Sequence, residues 1–277
     1  MQKLKIRVRE DLKGNMPLWH FLESLPAAFE HIGTEIHRGR NVLKIIDAKG
    51  LGLDVPQIMA KRYHGLFWFQ KLDYTYFRTP KCRNAFDNTA ELRRRGFEAA
   101  KEIALVEVWN HGLYQYAFFV SEVAKGERMD RLVMSLQEKG QKETVDQVIR
   151  QFASLLKSIH EHGIYYNDMN CGNVVCRQDE PDGEWRFCFV DTNRAIMMDP
   201  DKPLGLDTVM KDILLMNPKM GTVEQFQEEY LRQRGLYTPE YAAQVRQLQR
   251  DRYENRKRPM KQFMKRYKKQ YYKWLER

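Results

Sequence analysis

The stretch from residue 143 to residue 191 constrains this chain more than any other. "ETVDQVIRQFASLLKSIHEHG" places Val145, Val148, Ile149, Phe152, Leu156 and Ile159 on one stripe of an amphipathic helix, and Gly163 stands where a glycine caps a helix C-terminus. A polar loop follows. Then "NVVCRQ" and "WRFCFVD" flank "DEPDG", the pattern of a β-hairpin. The loop carries Asp168 and Asn173 five positions apart, and Asp191 closes the second strand. A hairpin beginning at Asn173 and ending at Asp191 brings those two residues to one end.

Upstream, "PLWHFLESLPAAFEH", residues 17 to 31, reads as one or two short helical pieces broken at Pro26. "TEIHRG", "NVLKIID" and "VPQIMAKRYH", separated by "GRN" and "AKGLGLD", predict a three-stranded antiparallel meander. "RNAFDNTAELRRRG" repeats Ala85, Phe86, Thr89 and Leu92 at helical spacing and stops at Gly96. "IALVEVWN" and "LYQYAFFVSEV", joined by "HG", predict a further strand pair. From about residue 206 the pattern is helical to the end. Three strands, a helix, two strands, a long helix, a polar loop, a hairpin and then helices is the order of a protein kinase-like fold. The expected class is therefore α+β with two lobes: an antiparallel sheet with one helix, then a mainly helical lobe. The expected divisions are an N-terminal helical extension over 1–30, an N-lobe over 31–123 and a C-lobe over 124–277.

A chain of 277 residues with 43% hydrophobic and 30% charged residues has the composition of a globular protein with room for two lobes. No apolar run reaches the roughly 20 residues of a membrane-spanning helix, and "MQKLKIRVRED" lacks the apolar segment of a secretory signal, so a cytoplasmic location is expected. Cys82, Cys171, Cys176 and Cys188 show no paired spacing, which predicts reduced thiols and no zinc site. The net charge of +10 is concentrated at the C-terminus, where residues 251 to 277 hold 11 Lys or Arg against 3 Asp or Glu. Charge confined to a tail argues against nucleic-acid binding along the body, and no specific nucleic acid is expected. Within the tail, "MKQFMKRYKKQYYKWLE", 260 to 276, sets Met, Phe, Tyr, Trp and Leu along one helical face and lysines on the rest. Such a helix packs on a lobe, lies peripherally on the anionic inner face of a membrane, or, with aromatics interleaved among lysines, contacts RNA.

Phosphoryl transfer asks a protein for positioning and charge: a lysine on the phosphates, oxygen ligands on the metal, and a carboxylate beside the attacking hydroxyl. Asp168 and Asn173 have the D-x-x-x-x-N spacing of a catalytic loop, with Asp168 as base, Asn170 steadying the loop, and Asn173 and Asp191 as ligands of Mg²⁺ on ATP. The alternative for the loop alone is an ordinary Asx-rich turn. Lys61 in "IMAKRY" occupies the third-strand position of a phosphate-binding lysine, and its partner acid is sought in the next helix, in Asp87 by preference or Glu91. Gly39 and Arg40, between the first two strands of the meander, fall where a loop would cover phosphates. Glu122 and Val123 fall at the hinge that meets adenine.

The stretches "FLESLPAAFEHIGTEIHRGRNVLKI", "AKRYH", "AFDNTAELRRRGFEAAKEIALVE", "YAFFVSE", "SIHEHGIYYNDMNCGNVV" and "RFCFVDTNRAIM" together resemble the lipopolysaccharide kinase (Kdo/WaaP) family, in particular its Bacteroidetes-type members. The similarity runs in order over roughly residues 20 to 200. It implies a kinase-like fold, use of ATP with Mg²⁺, and transfer of the γ-phosphate to a Kdo or heptose hydroxyl of the lipopolysaccharide inner core. Two departures from kinase motifs stand out: Tyr166-Asn167 replace His-x before the catalytic Asp, and Thr192-Asn193 replace Phe-Gly after Asp191. The competing expectations are a binding module that keeps the fold without chemistry, and a kinase for a protein, small-molecule or RNA-linked acceptor.

Overall fold

A computed structural model of the chain describes residues 2–64, 66–180, 183–216 and 221–256. Two compact units emerge among the described residues, one formed by the chain up to Arg93 together with Ala100–Ala124, the other by Arg94–Ala99 and the chain from Lys125 to Arg256. The tail helix expected over 260–276 lies outside the described residues.

In the first unit, β1 (Gln2–Val8), β2 (Thr34–Arg38), β3 (Asn41–Asp47), β4 (Gln57–Tyr63), β5 (Glu102–Asn110) and β6 (Leu113–Glu122) form one antiparallel sheet in the order β1-β5-β6-β4-β3-β2. The expected meander is β2-β3-β4. The β5–β6 turn at His111-Gly112 has φ of 49° and 76°, the paired positive values of a two-residue hairpin turn. Helices α1 (Met16–Ala28), α2 (Trp68–Tyr76) and α3 (Lys81–Arg94) cover the sheet on both faces. Leu18, Leu22 and Leu25 of α1 pack with Ile58, Ala60, Val106 and Val120 on one face. Cys82, Ala85 and Phe86 of α3 and Tyr74 of α2 pack with Leu105, Trp109 and Phe119 on the other. Burial on both faces explains why β5 is apolar from Ile103 to Trp109 with one exception, Glu107. That carboxylate is held by a bidentate pair with Arg83 of α3, both contacts 2.7 Å.

Two expectations for the N-terminus are corrected. Residues 2–8 are not part of a helical extension: "QKLKIRV" pairs with β5 residue for residue, from Gln2 with Asn110 to Val8 with Ala104. Nor is α1 broken at Pro26. Pro26 lies in the last turn, where only one intrahelical donor is lost, and the Phe29 amide still donates to the Leu25 carbonyl at 2.9 Å. Buried Lys44 of β3 donates to the carbonyls of Phe29, Glu30 and Ile32 at the end of α1, satisfying acceptors a helix end leaves over.

In the second unit, α4 (Met129–Glu138) precedes α5 (Lys142–Glu161), whose predicted stripe is buried from Val145 to Ile159. Phe152 of α5 meets Phe187 at 5.3 Å and Phe226 at 5.5 Å between ring centroids. Strands β7 (Glu127–Arg128), β9 (Val174–Gln178) and β10 (Trp185–Phe189) form a sheet in the order β10-β9-β7, and β8 (Ile164–Tyr165) pairs with β11 (Ile196–Met197). The helices α6 (Leu206–Ile213), α7 (Val223–Gln233) and α8 (Pro239–Arg256) follow.

Candidate active site

Gly163 turns the chain out of α5 with φ of 67°, and a Cβ built there would lie 2.3 Å from the Asp199 carbonyl oxygen, so the position takes glycine alone. The loop then runs through β8 and Tyr166 to Asp168. Both amides at its start, Tyr166 and Asn167, donate to the carboxylate of Asp212 on α6, at 2.9 and 3.0 Å. Asp212 is fully buried and also meets His160 Nε2 at 3.3 Å, while His160 Nδ1 lies 2.7 Å from the Tyr230 hydroxyl. The loop is thus pinned through its backbone by a buried chain of polar groups on α5, α6 and α7.

Tyr166 takes the place of the expected His and is itself fully buried. Its ring packs on Phe189 at 5.2 Å, and its hydroxyl donates to the Val190 carbonyl, the residue before Asp191. Burial, followed by the nearby carboxylates of Asp191, Asp168 and Asp212, pushes its phenol well above the ordinary value, so it remains a donor. One side chain therefore links the loop to the end of the hairpin.

Asn170 caps a short 3-10 turn over Cys171–Asn173, accepting from the Gly172 amide at 3.2 Å. Asn173 closes that turn instead of opening the strand, which starts at Val174. Its side-chain amide donates to the Asp168 carbonyl at 3.1 Å, and its own carbonyl accepts from the Val190 amide at 2.9 Å. The hairpin β9–β10 thereby sets Asn173 beside Val190 and Asp191. Asp191 has φ of 59°, a left-handed conformation that Asp tolerates better than most residues. Asn193, in the Thr192-Asn193 pair that replaces Phe-Gly, donates to the Asp191 carboxylate and so fixes that side chain's orientation. Arg194 reaches back to Asp168 Oδ1 at 3.2 Å. Cys171, inside the loop, is buried and its thiol is pushed up to about 12, so it is no nucleophile.

The chemistry of this donor set suits magnesium. The ion takes one or two protein oxygens and completes its shell with water and substrate phosphates, and Asn173 and Asp191 supply an amide and a carboxylate oxygen on adjoining backbone. Among the described residues no cluster of three His, Cys, Asp or Glu side chains forms an all-protein metal cage.

In the first unit Lys61 lies on β4 facing the α2–α3 side, nearly buried, its ammonium 5.0 Å from the Tyr63 ring. Asp87 does not face the sheet. It sits on the exposed side of α3, bonded to Arg7 of β1, because the buried stripe of that helix is Cys82, Ala85, Phe86, Thr89 and Leu92. The preference for Asp87 as the lysine's partner is therefore corrected; its carboxylate ties β1 to α3. Gly39 and Arg40 form the β2–β3 turn, where the Gly39 amide bonds the Asn41 carbonyl at 3.1 Å. Glu122 ends β6 within 3.8 Å of Arg9 and 3.7 Å of Lys101, and Val123 follows it. Sequence reasoning missed Asp212, His160 and Tyr230, whose only signal is a buried polar group on an otherwise apolar helix face.

A six-stranded antiparallel sheet unit and a mainly helical unit, in this element order, make a protein kinase-like fold. Among solved structures, WaaP in complex with acyl carrier protein shares this fold, with a TM-score of 0.54 and 15% identity, covering 97% of this chain and 99% of that one. Residues 35–202 match the lipopolysaccharide kinase (Kdo/WaaP) family, and the chain belongs to it. It is accordingly an ATP-using kinase that phosphorylates sugar hydroxyls of the lipopolysaccharide core. No match is found among curated proteins.

Proposed function

We propose that Asp168 is the residue that receives the proton of the acceptor hydroxyl, on a Kdo or heptose of the inner core. The observation that carries this is the loop's double anchorage, to Asp212 through two backbone amides and to Val190 through Tyr166, which holds one carboxylate rigidly next to the Asn173–Asp191 pair. Arg194, 3.2 Å from Asp168, orients that carboxylate and adds positive charge where a phosphoryl group would arrive. Asn173 and Asp191 would hold Mg²⁺, which supplies charge neutralisation on the nucleotide phosphates.

Lys61 is assigned to the phosphates of ATP, with Glu91 a better candidate partner than Asp87, whose carboxylate is engaged by Arg7. Asn170 shapes the loop, Gly39 and Arg40 approach the phosphates, and the backbone at Glu122 and Val123 meets adenine. The protein acts at the cytoplasmic face of the membrane, and the basic tail over 260–276 adds attraction to anionic lipid.

The test is phosphate transfer from ATP to a Kdo-containing lipid acceptor with purified protein. Asp168→Ala is expected to lower kcat by about a thousandfold or more with its melting temperature little changed. Product formed by that variant at the parent rate would remove Asp168 from the role. A Mg²⁺-dependent thermal stabilisation by ATP, lost in Asp191→Ala, checks the metal assignment independently of turnover.

A further inference from the structure

Helix α2, in the first unit, is amphipathic in the wrong sense for a helix on a globular surface. Two of its polar residues bond strand β6: Lys71, 60° around the helix from buried Tyr74, donates to Gln115 at 2.8 Å, and the Thr75 hydroxyl, at the border of the outward side, accepts the Tyr114 amide at 3.0 Å. Its large apolar residues face outward. Trp68 is 73% exposed, Phe69 52%, Tyr76 67% and, at the C-cap, Phe77 83%. Successive residues turn by 100°, so Trp68, Phe69, Leu72 and Tyr76 fall within one 100° sector, opposite Tyr74. Exposed aromatics scattered singly need no explanation; a contiguous face of them does.

We propose that this face is a membrane-docking surface, seated at the headgroup level of an anionic bilayer. Three observations select lipid over other partners. Trp, Tyr and Phe are the side chains suited to an interface whose one side is apolar and other side wet. Residues 68–81 hold Lys71, Arg78 and Lys81 against Asp73, which pairs with Arg78 at 3.4 Å, so the segment keeps a net positive charge that suits anionic headgroups. The acceptor of this family is a glycolipid, so the enzyme meets its substrate at a bilayer; the proposal rests on that reading. No described helix is long and apolar enough to cross a membrane, so the contact is peripheral, with the rings entering only the interfacial layer.

The experiment uses the full chain and vesicles of phosphatidylethanolamine with phosphatidylglycerol, against vesicles of phosphatidylcholine. Co-sedimentation is expected with the anionic vesicles. The variant carrying Trp68→Ser, Phe69→Ser, Tyr76→Ser and Phe77→Ser should partition at least about tenfold more weakly, with its melting temperature kept because those side chains are exposed. Its kcat/KM should fall on acceptor embedded in vesicles and stay unchanged on the same acceptor freed of its acyl chains. Should the fourfold variant fold poorly, Trp68→Phe serves in its place: brominated lipid should quench the parent's tryptophan fluorescence more than the variant's. Equal partition, equal quenching, or a parent that ignores vesicles overturns the surface. So does a parent dimer that the variant converts to monomer without any vesicle binding, which would assign the face to a second copy. A parent that binds vesicles through α2 yet phosphorylates neither acceptor would sink the kinase reading and leave the surface standing.

Discussion

At the scale of single residues, Tyr166 and Asp212 decide how firmly the loop is held. Replacing Tyr166 by Phe keeps the ring against Phe189 and deletes the donor to the Val190 carbonyl. Losing one hydrogen bond to this part-buried carbonyl costs about 0.5–1.5 kcal/mol. The variant should unfold at lower urea by that amount and, because Val190 precedes Asp191, show a kcat lowered about tenfold at little-changed KM for ATP. Unchanged kcat alongside lowered stability would confine Tyr166 to a packing role. Asp212→Asn is the sharper change. One carboxylate oxygen accepts from Tyr166 and the other from Asn167, and an amide can serve only one of them, so one loop amide faces a donor. Loss of loop order should appear as faster hydrogen exchange at residues 166 and 167, ahead of any global unfolding. Asp168, Asn173 and Asp191 are legible in sequence because their spacing is fixed by one loop and one hairpin. Asp212 is not: it reaches the loop across more than 40 residues, and only the packing of α6 reveals which of many acids is buried.

At the scale of elements, the sheet of the first unit depends on its N-terminal strand. β1 pairs with β5 along seven residues and is fastened further by Arg7 to Asp87 on α3. Removing residues 2–8 would leave β5, buried from Glu102 to Trp109, as an unprotected edge. The truncated chain should aggregate at concentrations where the full chain stays dispersed, as read by light scattering. The pair between Arg83 and buried Glu107 fastens α3 to β5 in the same way. Arg83→Ala is expected to destabilise by about 1–3 kcal/mol, since it leaves buried Glu107 with the Trp109 indole N–H at 3.3 Å in place of two guanidinium donors. Alternation in "KLKIRV" carries the strand signal for β1, but its value depends on a partner a hundred residues away. The stripe of α5 and the β9–β10 hairpin are local, and their periods identify them without help. Helix α2 escapes pattern reading for a physical reason: its apolar side faces away from the core, so the usual inference from hydrophobic face to buried face inverts.

At the scale of the whole molecule, protonation of buried neutral groups sets the alkaline limit of the fold. All four cysteines are buried and free, and burial pushes the thiols of Cys82, Cys171 and Cys188 up to about 12 and that of Cys176 higher still. The phenols of Tyr114, Tyr166 and Tyr230 are raised for the same reason. A group whose folded value exceeds its unfolded value holds its proton more tightly in the native state. The stability this represents is complete below the unfolded value and is lost as pH rises toward the folded one. Unfolded thiols titrate near ~8.5 and phenols near ~10, so stability should be level through about pH 8, fall from about 8.5, and fall more steeply above about 10. Each thiol ionised only in the unfolded chain contributes about 1.4 kcal/mol per pH unit to that slope. Urea unfolding between pH 7 and 11 measures the curve, and Cys82→Ala should make it shallower by one thiol's share. The same burial predicts that a thiol reagent modifies none of the four cysteines in the native protein at pH 8 and all four in urea. A native thiol that reacts at the unfolded rate would contradict the burial from which the pH curve is derived, and would place that cysteine in a segment that opens far below the global unfolding free energy.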